Sequence, residues 1–120
     1  MPDKIIVVHL TSSEPIKAGK ALRFAKSAFD YSATVFLLLS AEGVLIADKS
    51  KPSFIVPTTQ TESLDAVREF LKEGGRVLVG VDDMKSLNIS ALDLIAGCEQ
   101  AESKYFFNIL LSDEAAIMSW

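Results

Sequence analysis

Three stretches of this chain are apolar without alternation: Lys4–Leu10 (KIIVVHL), Ala33–Leu39 (ATVFLLL) and Arg76–Val81 (RVLVGV). A strand with one wet face alternates apolar and polar residues, whereas a strand covered on both faces does not. The three runs therefore predict buried strands of a parallel sheet. Ala115–Trp120 (AAIMSW) predicts a final strand. Between the runs the apolar period becomes helical. Ile16, Leu22, Ala25 and Phe29 repeat at helical spacing behind the turn Thr11-Ser12-Ser13-Glu14-Pro15, with Lys17, Lys20, Arg23 and Lys26 on the other side. Thr59 with Glu62 makes a capping-box pattern ahead of Leu64, Val67, Phe70 and Leu71, and Gly74-Gly75 ends that helix. Val44–Ala47 predicts a short helix and Ser90 with Asp93 another helix start. Gln100–Leu111 predicts a last helix with Tyr105, Phe106, Ile109 and Leu110 on one face. Pro52 and Pro57 make residues 49–60 a loop, or at most an edge strand around Phe54-Ile55-Val56.

The chain has no internal repeat, low-complexity tract or linker, so residues 1–120 are expected to form a single domain. Strands alternating with helices predict a three-layer, doubly wound α/β fold of mostly parallel strands. In such sheets ligands bind beyond the carboxyl ends of the strands. That rule nominates the loops at residues 9–14, 40–43 and 81–85.

Composition narrows the chemistry. Apolar residues make up 49% and charged residues 23%, a globular balance, and no apolar run is long enough to span a bilayer. The opening residues MPDKIIVVHL leave no room for a signal peptide, so a cytoplasmic protein is expected, and the single cysteine fits a reducing compartment. A net charge of −4 argues against nucleic acid. The charge is graded: +2 over residues 1–31, −1 over 32–81 and −5 over 82–120.

No phosphate loop or dinucleotide fingerprint is present; Gly19-Lys20 is followed by Ala21, and Thr11-Ser12-Ser13 reads as a helix cap. His9, Asp82, Asp83 and Cys98 have no metal-binding spacing, so neither a metal nor a cofactor is expected. Asp82 and Asp83 are adjacent, and in extended backbone only one of them would face a crevice. A Ser–His–Asp set is formally available but lacks a nucleophile-elbow pattern. Cys98 follows Gly97 in a turn expected to lead into a helix, whose dipole would favour the thiolate, while Glu99 and Glu102 oppose it.

The order of parts resembles the DsrE/DsrF-like family, which includes the TusD-type sulfur-relay proteins. The resemblance runs over nearly the whole chain. It rests on KIIVVHLTSSEP at the start, on GGRVLVGVDDMKSLNISALDLIAGCEQ from Gly74, and on the closing AAIMSW. It implies a flavodoxin-like, DsrE-like domain of about five strands, assembly as a homo-oligomer (trimer or hexamer), and sulfur-relay proteins as partners. It also implies a persulfide-carrying cysteine in the loop after the third main strand. Here that loop reads Gly80-Val81-Asp82-Asp83-Met84, without a thiol. The expectation is therefore a catalytically silent or non-standard subunit with a ligand crevice formed by His9, Thr11, Ser12, Asp82, Asp83 and Met84. The alternative is an active sulfur carrier using Cys98, and the least favoured is hydrolysis or phosphoryl chemistry with Asp82 and a metal.

Overall fold

The structure, a computed structural model, describes residues 4–57 and 59–120. Thr58, within the loop expected at residues 49–60, and residues 1–3 lie outside the described residues. Strands β1 (Ile5–Leu10), β2 (Thr34–Leu39), β3 (Arg76–Gly80), β4 (Glu99–Ala101) and β5 (Ala115–Ser119) form one sheet in the order β4-β3-β2-β1-β5. Every pair is parallel, with Val7 beside Phe36 and Ile117, and Leu78 beside Glu99. The doubly wound α/β fold is as expected.

Helices α1 (Pro15–Ala28), α2 (Ser63–Lys72) and α3 (Val81–Ser86) cover one face of the sheet. Ala18, Ala21, Leu22, Ala25, Val67, Phe70 and Met84 pack there on Val8, Leu37, Leu39, Val77 and Val79. Successive residues of a strand face opposite ways, so Val7, Phe36, Leu38 and Leu78 look to the other side. Among the described residues that side is covered by α4 (Ser103–Leu110) alone, through Phe106, Ile109 and Leu110. Phe107, Leu111 and Ile117 remain 58%, 77% and 43% exposed.

Several expectations needed correction. Strand β3 stops at Gly80, and Val81-Asp82-Asp83 begins α3 instead of extending into a loop. The helix expected over 100–111 gives up its start to β4, a three-residue strand at the sheet edge with no β-branched or large apolar residue to announce it. Ala41–Ala47 is a 3-10 helix, and Ser90 with Asp93 caps a single 3-10 turn. Thr59 does not cap α2, whose N-cap is Glu62. The described residues of 49–60 form a loop, as expected, with one isolated bridge from Ile55 to Glu62. Trp120 is held at both ends of the residue: its ring centroid lies 5.2 Å from that of Phe24, its N–H donates to His9 O at 2.9 Å, and its carbonyl accepts from Thr11 N at 2.8 Å.

At the carboxyl end of the sheet two backbones meet closely. Leu10 O accepts from Ser40 N at 3.1 Å, and Gly43 lies against the same carbonyl, so that a Cβ at position 43 would run into it. Gly43→Ala is expected to destabilise the fold by about 1–3 kcal/mol, the cost of forcing atoms into a packed contact. Urea unfolding followed by the fluorescence of Trp120, the chain's one tryptophan, reads this directly. A midpoint equal to wild type would mean that the Leu10–Gly43 contact opens at no cost.

Candidate functional site

His9, Ser40 and Gly80 end neighbouring strands β1, β2 and β3, and Ala101 ends β4. These four residues line a pocket of about 270 Å³ at the carboxyl edge of the sheet. Val81, Asp82 and Asp83 of α3 line it too, together with Phe106, Phe107 and Leu110 of α4. It sits where the connections from β3 and β4 leave for opposite faces, the place at which α/β sheets open a crevice. Its volume is near the lower end for ligand sites, which suits a small molecule.

Glycine at the end of β3 keeps the floor open. A Cβ at Gly80 would lie 2.8 Å from Asp83 Oδ2, so the carboxylate occupies the space a side chain would take. Because α3 begins at Val81, Asp82 and Asp83 sit in one helical turn and both reach the pocket. The extended-backbone expectation that only one could do so is overturned by that helix. Neither carboxylate has a salt-bridge partner among the described residues.

His9 Nε2 and Ser40 Oγ are 2.7 Å apart. Partial burial lowers the His9 pKa from its usual value, so the imidazole is neutral at pH 7. With its proton on Nδ1 the neutral ring accepts the Ser40 hydroxyl at Nε2; with the proton on Nε2 the direction reverses. Ser40 itself lay within a nominated loop, but nothing in the sequence tied it to a histidine 31 positions earlier. Ala101, Ser103 and the α4 side chains were also missed, since their only sequence signal was an apolar helical face.

The remaining expected residues go elsewhere. Met84 is 3% exposed and belongs to the core under α3. Thr11 is turned to Trp120, whose carbonyl its hydroxyl meets at 2.9 Å, and Ser12 Oγ accepts from Glu14 N at 3.0 Å. Cys98 lies before β4, packed against the cluster on the α1–α3 face, across the sheet from the pocket-lining α4. The turn that carries it leads into a strand, so no helix dipole acts on it, contrary to expectation. Burial, aided by Glu99, pushes its thiol up to about 12. Among the described residues no group of three or more His, Cys, Asp or Glu could hold a metal, and no helix is long and apolar enough to cross a membrane.

A larger cavity of about 400 Å³ lies beside the 3-10 helix, lined by Leu45, Asp48, Lys51, Phe54, Ser63 and Leu64 among others. Two of its polar groups, Asp48 and Ser63, are already engaged by the loop itself. Asp48 Oδ1 accepts from Ser50 N and Oγ at 2.8 and 2.6 Å, and Ser63 Oγ meets Ser53 Oγ and Phe54 N. The pocket at the strand ends has uncommitted chemistry and is the better candidate.

Comparison with solved structures places this architecture. The chain superposes on the YchN protein from E. coli with a TM-score of 0.79 at 17% identity, covering 99% of this chain and all of the other. It superposes on MTH1491, a protein of unknown function from Methanobacterium thermoautotrophicum, with a TM-score of 0.76 at 12% identity, over 98% of this chain and all of that one. The fold is DsrE/YchN-like. No protein-family model matches the sequence. No curated protein matches it either.

A thiol lifted from 9.0 to about 12 holds roughly a thousandth of the usual thiolate at neutral pH. Iodoacetamide labelling of Cys98 in the native protein at pH 7.5 is thus expected to be at least about a hundredfold slower than in urea, and to rise only as the pH climbs towards 12. Fast native labelling with a half-point below pH 8 would show that Cys98 is exposed and activated.

Proposed function

We propose that this chain is a cytoplasmic DsrE/YchN-like subunit linked to sulfur metabolism that does not itself carry sulfur. In this reading it assembles as a homo-oligomer, trimer or hexamer, and holds a small ligand in the pocket between His9, Ser40, Asp82, Asp83 and α4. Sulfur-relay proteins are its expected partners.

The observation that carries the reading is the chemistry at the strand ends. Where a sulfur carrier needs a thiolate in an electropositive setting, this pocket presents two carboxylates without a cationic partner and no sulfur atom. The chain's only cysteine sits on the other face with its thiol held protonated. Assembly is supported by the lone helix on the α4 face, which leaves Phe107, Leu111 and Ile117 in water as a monomer.

Two measurements test this. After incubation with a persulfide donor, intact mass is expected to show no added sulfur on the native protein; a stable gain on Cys98 would establish it as a carrier and reverse the reading. Light scattering is expected to give a mass of three or six chains, falling to a monomer in Phe107→Asp with Leu111→Glu. A wild-type monomer at micromolar concentration would remove the assembly part.

A further inference from the structure

Ser40 stands at the N-cap of the 3-10 helix Ala41–Ala47, where a serine hydroxyl ordinarily accepts from the backbone N–H groups of the first turn. Here it makes no such bond. Its hydroxyl is turned into the pocket, and its only side-chain partner among the described residues is His9 Nε2 at 2.7 Å. The residue that follows, Ala41, has φ of 51°. A non-glycine side chain in that left-handed region is strained, and such strain persists where a structure must hold a neighbour in place. The arrangement is a serine on a sharp turn from a parallel strand into a helix, above the carboxyl edge of the sheet, with a histidine in contact. Hydrolases of unrelated sequence likewise present a nucleophilic serine at a strand-to-helix turn beside a histidine, although here Ser40 itself is extended, with φ of −137°, and the strained residue is Ala41.

We propose that Ser40 and His9 form a nucleophile–base pair that hydrolyses small carboxylic esters through transient acylation of Ser40. His9 Nε2 takes the hydroxyl proton as Ser40 Oγ attacks the carbonyl carbon. The bond from that carbon to the leaving oxygen breaks, and the alcohol departs with the proton returned by His9. A water molecule then attacks acyl-Ser40 with the same proton transfers, releasing the carboxylic acid and restoring the pair. The neutral state of His9 suits it to this work. Positive charge arising on the ring develops in a pocket that also holds Asp82 and Asp83 and no cation. Those carboxylates repel anionic esters, and Phe106, Phe107 and Leu110 favour a short apolar acyl group that is neutral or joined to a cationic alcohol.

His9 Nδ1 has no side-chain acceptor among the described residues, so the pair lacks a third member and turnover is expected to be slow. Covalent labelling is therefore the sharper readout. The natively folded protein is treated with a fluorophosphonate probe and the adduct mapped by mass spectrometry, with p-nitrophenyl butyrate hydrolysis measured alongside. The expected result is phosphonylation of Ser40 with loss of fluoride, abolished in Ser40→Ala and at least about tenfold slower in His9→Asn, with circular dichroism confirming that both variants fold. Should His9→Asn unfold, His9→Gln takes its place. Absence of a Ser40 adduct after a day, an adduct on another residue, or equal labelling without His9 would each overturn the proposal. The assembling subunit proposed above, which carries no sulfur, depends on different measurements and would stand or fall separately.

Discussion

A parallel sheet must be covered on both faces, and this chain supplies unequal cover. Four strand-to-strand gaps of roughly 4.8 Å make the sheet about 19 Å wide, whereas one helix covers a band of about 10 Å. Three helices suffice on one face. On the other, the eight residues of α4 protect Phe36, Leu38 and Leu78 and cannot reach further. The pocket and the bare apolar residues both follow from that shortfall. One is the gap between α4 and the strand ends; the other is the part of the face that α4 leaves in water.

The position of α4 is set by polar as well as apolar contacts. Arg76, the first residue of β3, reaches Glu99 with Nε at 3.0 Å and Nη2 at 2.7 Å, a two-pronged bond that ties the short strand β4 to its neighbour. The same guanidinium meets Tyr105 Oη at 3.3 Å and lies 5.2 Å above the Phe36 ring. This bond holds the Glu99 carboxyl below its usual pKa. Strand β4 has too few residues and too little apolar surface to hold itself in place by packing, so this ionic clamp helps fix the wall on which the pocket depends.

The sequence announced what repeated pattern can announce. Strands β1, β2 and β3 were legible because each is a continuous apolar run, and α1 and α2 because their apolar spacing and stop signals agree. The doubly wound α/β class followed from the alternation of strands and helices, and its DsrE-like form from the resemblance to that family. Strand β4 was not legible: Glu-Gln-Ala carries no strand preference and is a strand only because β3 offers it an edge. The helix at Val81 was hidden because an apolar residue after RVLVG reads as more strand, and misplacing that boundary by one residue changed where both aspartates point. The contact between His9 and Ser40 arises from the β1–β2 register, which pairs His9 with Leu38, and sequence spacing does not encode it. The left-handed turn at Ala41 was equally invisible, since alanine gives no hint of positive φ.

Cysteine position separates two kinds of chemistry that this architecture could host. A thiolate at the end of β3 would need nearby positive charge or hydrogen-bond donors. The residues actually there are Asp82 and Asp83, and the last third of the chain carries a net −5. Such a field opposes any sulfur anion, but it does not oppose a neutral nucleophile whose proton is removed only as the reaction proceeds. A serine hydroxyl remains uncharged until a base accepts its proton, and the field of two carboxylates then favours the imidazolium that results. Without a thiol in that loop, the site has electrostatics that disfavour carrying sulfur and are compatible with general-base chemistry.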